Sequence, residues 1–106
     1  MKTLKQYIIE SSRVTDFKNE WEDSWNEAAN SGSNEKMTDF YESLLDEIFN
    51  ESWHHKNHAP NREEKEVYSF LLNLKNEVET AMESNNIDYT KIYNDFKRNW
   101  KEPNYY

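Results

Sequence analysis

Cysteine is absent from the 106-residue chain, so no disulfide or thiolate metal site can form, and the redox compartment is left open. Glycine occurs once and proline twice, too few for the turns of an all-β fold, and helices are what remains. No apolar run approaches the roughly 20 residues of a membrane-spanning helix. Basic residues are in deficit, with 13 Lys and Arg against 21 Asp and Glu, a net charge of −8. So acidic a chain repels nucleic acid and anionic membranes, and its expected partners are basic surfaces. A glycine-rich phosphate loop, a His-Glu-x-x-His zinc motif and a recognisable Ser-His-Asp set are all missing. No catalytic residue, metal ligand set or cofactor is therefore expected, and the chain reads as a non-enzyme.

Aromatic residues, by contrast, are plentiful at 15 %, with four Trp, so one small core can be built from a few large side chains. Phe17, Trp21, Trp25 and Ala28 recur every three to four positions, which predicts a helix from about Asp16 to Asn30, capped by Thr15 and stopped at Gly32. Met37, Phe40, Tyr41, Leu44, Leu45, Ile48 and Phe49 keep the same rhythm, giving a helix from Asn34 to Trp53. Its face, Leu44, Leu45 and Ile48, is expected to bury against Trp21, Trp25, Leu71 and Leu74. His54 to Pro60 reads as a loop of about seven residues, because the residue before a proline disfavours helix.

Asn61 followed by Glu64 is a capping box for a helix that Val67, Phe70 or Leu71, Leu74, Val78, Ala81 and Met82 carry to about Ser84. Asp88 caps the last helix, with Ile87 and Ile92 placed as a hydrophobic staple and Lys97, Arg98 and Lys101 near its C-terminal end. Pro103 is expected to stop it and Asn104-Tyr105-Tyr106 to form a loose tail. The fold class is all-α: a small single-core bundle of about four helices.

The charge is uneven. Residues 1–53 carry net −7 and residues 54–106 net −1. Within the acidic half, Asp16, Glu20, Asp23 and Glu27 repeat at spacings of 4, 3 and 4, and so do Glu35, Asp39, Glu42 and Asp46. Such spacing sets four carboxylates in a row along a helix, and 100° steps put both rows away from the apolar seams. Successive carboxylates stand roughly 4.5–6 Å apart along the axis, against ~3.4 Å between phosphates of one DNA strand. Two such rows could imitate backbone charge to a DNA-binding protein. The plainer reading is a solvated outer face, where an acidic protein must place its acids.

The three histidines, His54, His55 and His58, cluster near Glu51. Glu51 and His54 have the Glu-x-x-His spacing of di-iron helices, but such a site needs a second pair and no histidine is left to supply it. A polar, histidine-rich loop is the expected outcome.

The first eleven residues carry a more specific signal. Met1-Lys2-Thr3, aromatic Tyr7, the Ile8-x-Glu10 element and small Ser11 resemble the capsid-targeting propeptide of T4-type phage internal head proteins. Leu4-Lys5-Gln6, Ile9 and Ser11, where alanine is common, depart from that pattern. The competing reading makes Leu4, Tyr7 and Ile8 the first core turn of an ordinary helix.

The resemblance implies a short helical leader over residues 1–10, cut between Glu10 and Ser11 by the prohead protease, ahead of an acidic bundle over 11–106. It further implies packaging with the head core in the virion interior, then delivery to the host cytoplasm with the genome. Joined to the acidic rows, the expectation is an inhibitor of a host defence protein, anti-restriction or similar, that binds a basic and DNA-binding surface by DNA mimicry. An immunity or antitoxin-type protein neutralising a toxin, or a structural head component, are the alternatives. Direct nucleic-acid or membrane binding is not expected, and a homodimer, which would double the acidic surface, is left open.

Overall fold

The computed structural model describes the backbone over residues 4–102 and the side chains over residues 13–102. Four helices follow one another among these residues: α1 (Leu4–Asn30), α2 (Asn34–Asn57), α3 (Arg62–Ser84) and α4 (Tyr89–Asn99). The all-α bundle expected from the sequence is what forms. Among the described residues, both α1 and α4 pack on α2 and on α3 but not on each other, so the α2–α3 pair is the spine of the molecule.

The reason lies in the spacing of α2's aromatics. Phe40 and Phe49 are nine residues apart, which at 100° per residue turns them to opposite flanks of the helix. Phe40 meets Trp21 and Trp25 of α1, with ring centroids 5.6 and 5.4 Å away. Phe49 meets Tyr93 and Phe96 of α4 at 5.8 and 5.6 Å, and Trp100 just beyond it at 5.6 Å. Between the two flanks, Tyr41, Leu44 and Leu45 are wholly buried, as are Leu71, Val78 and Met82 of α3. Leu44, Leu45 and Ile48 fall in one cluster with Trp25, Leu71 and Leu74, with Trp21 partly buried at its edge.

Each described joint is made locally. Gly32 takes a left-handed φ of 71°, and the Ser33 hydroxyl accepts the Lys36 N–H to start α2. Asn61 and Glu64 form the reciprocal capping box, at 2.8 and 3.2 Å. After α3, Asn86 adopts φ 59°, the Asn86 N–H donates to the Glu83 carbonyl, and the Ile87 N–H donates to the Met82 carbonyl at 2.9 Å. This is a Schellman stop with asparagine in the place glycine usually takes. Ile87 therefore closes α3 and, one residue before the Asp88 cap, opens the staple of α4.

Two boundaries differ from expectation. There is no break at Thr15: α1 runs unbroken from Leu4, so the expected leader forms its first turns rather than a separate helix. Ser11 to Thr15 contains neither glycine nor proline, and Val14 stands three residues before Phe17, in register with its apolar face. Likewise α2 continues through His54, His55 and Lys56 to Asn57, and only His58 to Asn61 connect it to α3. The pre-proline restriction acts on Ala59 alone and does not reach four residues back. Lys97 and Arg98 do occupy the last turn of α4, but Lys101 lies past its end. Pro103, expected to stop the helix, and the expected tail over 104–106 lie outside the described residues.

Candidate partner-binding face

The eight expected carboxylates are where the helical spacing places them. Asp16, Glu20, Asp23 and Glu27 on α1 are exposed, and so are Glu35, Asp39, Glu42 and Asp46 on α2. The helices that bear them pack on one another. Among the described residues, none of the eight forms an ion pair, although Lys36 stands between Glu35 and Asp39 on α2. Lys18 of α1 reaches Glu66 of α3 at 2.7 Å, and this lysine holds the Glu66 carboxyl below the usual carboxylate range. Lys75 is taken by Glu79 at 2.8 Å.

Asp46 differs from the other seven. Its carboxylate accepts the Trp100 indole N–H at 3.2 Å and an amide N–H of Asn50 at 3.3 Å. One end of the α2 row therefore also ties the chain beyond α4 to α2. Sequence spacing could not show this, because Trp100 is 54 residues away.

The proposed cleavage residues Ile8, Glu10 and Ser11 have their backbone inside α1, and their side chains lie outside the described residues. A protease acts on extended chain, so a cut after Glu10 requires the first turns of α1 to unwind.

His54 and His55 lie on α2 rather than in a loop, with the His54 ring 5.0 Å from that of His58 at the helix end, and no group of three His, Cys, Asp or Glu placed to hold a metal ion occurs among the described residues. His54 faces Glu64 of α3 at 3.4 Å, while half-buried His55 lies 3.5 Å from Glu51 and edge-on to the Tyr68 ring at 5.1 Å. They act at the α2–α3 joint, one beside a capping glutamate and one against an aromatic.

Helical periodicity does not show a buried polar link that starts from α2. The Tyr41 hydroxyl, wholly buried with its side chain, donates to Glu79 of α3 at 2.6 Å. Burial, reinforced by the Glu79 carboxylate, pushes the Tyr41 phenol far above its ordinary range. Lys75, bound to the same carboxylate, sits 5.0 Å over the Tyr93 ring, so one network joins α2, α3 and α4. The only cue in the sequence was a tyrosine inside an otherwise apolar stripe. Set against family models, curated proteins and solved structures, the chain matches none, and its own residues carry the functional reading.

Proposed function

We propose that this protein is a non-enzymatic inhibitor that occupies the DNA-binding groove of a host defence enzyme with the acidic faces of α1 and α2. One observation carries the reading: two rows of four carboxylates, on helices in contact, all exposed and none neutralised by an ion pair among the described residues. Like charges at these spacings cost a helix a few tenths of a kcal/mol per pair. A solvated face needs no such regularity, whereas a surface that competes with phosphates does. The setting is a phage head: the resemblance of residues 1–11 to a capsid-targeting propeptide supports packaging beside the genome and entry with it. Removal of residues 1–10 takes away Lys2 and Lys5 and only one acid, Glu10, leaving the remainder more acidic.

The test is a triple change, Asp39→Asn, Glu42→Gln and Asp46→Asn, assayed for inhibition of a host restriction endonuclease. The amides keep side-chain size, and an asparagine at 46 still offers Trp100 a carbonyl acceptor. Inhibition should be lost with the melting temperature unchanged or slightly raised. The wild-type complex should weaken steeply with salt and exclude duplex DNA from the enzyme. Simultaneous binding of DNA and inhibitor, with salt-insensitive affinity, would refute mimicry.

A further inference from the structure

Of the four helices, α4 is held differently from the rest. Side chains of α1, α2 and α3 enter the buried core, whereas no residue of α4 is buried. Its apolar residues Tyr89, Ile92, Tyr93 and Phe96 are only partly covered where they lie against that core. With 11 residues, α4 is also shorter than the roughly 12–15 at which an isolated helix becomes even marginal in water. It is therefore helical because it leans on the α2–α3 spine.

The two ends of α4 are fixed in unlike ways. At its start, the Ile87 N–H donates to the Met82 carbonyl at 2.9 Å and Asn86 takes φ 59°, so residues 85–88 make a tight joint with α3. At its far end, the Trp100 indole N–H donates to the Asp46 carboxylate at 3.2 Å. Among the described residues, this is the one side-chain hydrogen bond between the stretch from Tyr89 to Glu102 and the spine, and no ion pair joins them. The remaining hold is ring packing on Phe49 and the Lys75 ammonium 5.0 Å over Tyr93.

We propose that α4 is a lid, hinged at residues 85–88 and latched by the Asp46 carboxylate, that opens while α1, α2 and α3 stay folded. Opening separates Phe49 from Tyr93, Phe96 and Trp100 and bares its face of α2. The latch is also the last carboxylate of the α2 row, so the row and the lid share a residue. A hydrogen bond to a charged acceptor is roughly twice as strong as one to a neutral acceptor. Whatever neutralises Asp46, a cation on a bound partner included, thus loosens the lid, and by linkage an open lid favours that cation. The lid itself does not depend on what the row binds.

Native-state hydrogen exchange of the full-length free protein, read by NMR at several urea concentrations below the melting transition, tests this. The backbone amides of Phe96 and Trp100, the latter bonded to the Phe96 carbonyl at 2.8 Å, report on α4, and those of Leu44, Leu45 and Ile48 report on the core. The α4 amides should exchange at least about ten-fold faster, and with a weaker urea dependence, because lifting one short helix exposes little surface. Asp46→Ala should speed them about ten-fold further, the loss of a charge-assisted hydrogen bond. In a Trp100→Phe background, which keeps a ring beside Phe49, Asp46→Ala should add nothing. Asp46→Asn should speed them about three-fold with the melting temperature unchanged. Relief of repulsion along the row enters melting but not the opening, in which α2 stays folded. A single rate and urea dependence for both sets of amides would overturn the lid. An Asp46→Ala variant that exchanges like the parent, or an undiminished effect in the Trp100→Phe background, would overturn the latch. Parent-like exchange of Asp46→Asn would overturn the link to charge. No enzyme is present, so each of these results is separate from the outcome of the inhibition assay.

Discussion

Tyr41→Phe isolates the one polar contact that the core of this bundle encloses at Tyr41. The ring is fully buried, so phenylalanine fills almost the same space and no cavity term complicates the result. What is lost is the 2.6 Å hydrogen bond to Glu79, whose carboxylate keeps Lys75 at 2.8 Å. A hydrogen bond to a charged acceptor contributes about 1.5–3 kcal/mol net, and because Glu79 remains paired the loss should fall near the lower end. In a domain of this size about 1 kcal/mol moves the melting temperature by roughly 4–8 °C, so Tyr41→Phe should melt roughly 6–12 °C lower.

A double-mutant cycle with Glu79→Gln separates the contact from general packing: Tyr41→Phe should cost clearly less in the Glu79→Gln background. There is also a signature in alkali. Because the folded state raises the phenol's pKa, stability is complete below the unfolded value near 10 and falls as pH rises beyond it. Tyr41→Phe should flatten part of that fall, read by urea denaturation between about pH 9 and 11. An unchanged melting temperature, or identical costs in both backgrounds, would refute the assigned role of this hydrogen bond.

Leu45→Ala, at a wholly buried position of the spine, should cost about 2–5 kcal/mol; thermal melting close to the parent's would show that α2's register is wrong. Glu47→Gln should be stabilising near neutral pH, since the folded state raises this carboxyl's pKa and so loses stability as pH climbs through it. The gain should shrink as pH falls through the unfolded carboxyl's value of about 4.3 and vanish well below it, where folded and unfolded chains both hold the proton, and a gain independent of pH would contradict the burial argument. Mass spectrometry of phage particles should find a chain beginning at Ser11; intact Met1 termini there would refute the cut after Glu10, and absence of the chain from particles would end the packaging proposal. Limited proteolysis of the free protein should cut ahead of Arg13 before it cuts within α2, because helix ends open before a helix with buried Tyr41, Leu44 and Leu45.

Sequence alone was enough wherever the determining physics is local or strictly periodic. The apolar rhythm from Met37 to Phe49 gave a buried α2, and the caps at Asn61 and Asp88 and the stop at Gly32 formed as their residue types require. The exposure of all eight row carboxylates was legible for the same reason, since 100° per residue fixes which side of a helix a residue takes once its apolar face is known. Boundaries resting on a weak negative signal were not. Thr15 could cap or continue a helix, and His54 to Asn57 could join α2 or the loop; the unbroken run of helix-compatible residues on either side decided both.

Tertiary structure alone decided which distant groups meet. That Tyr41 finds Glu79, that Trp100 hydrogen-bonds Asp46, and that Glu47 is left half-buried in a cavity walled by three helices follow from how α1 and α4 lean on the α2–α3 spine. Helical periodicity specifies the direction a side chain takes from its own axis. The distance and angle between axes are set by how side chains from different helices interlock, and that information is in no single stretch of the chain.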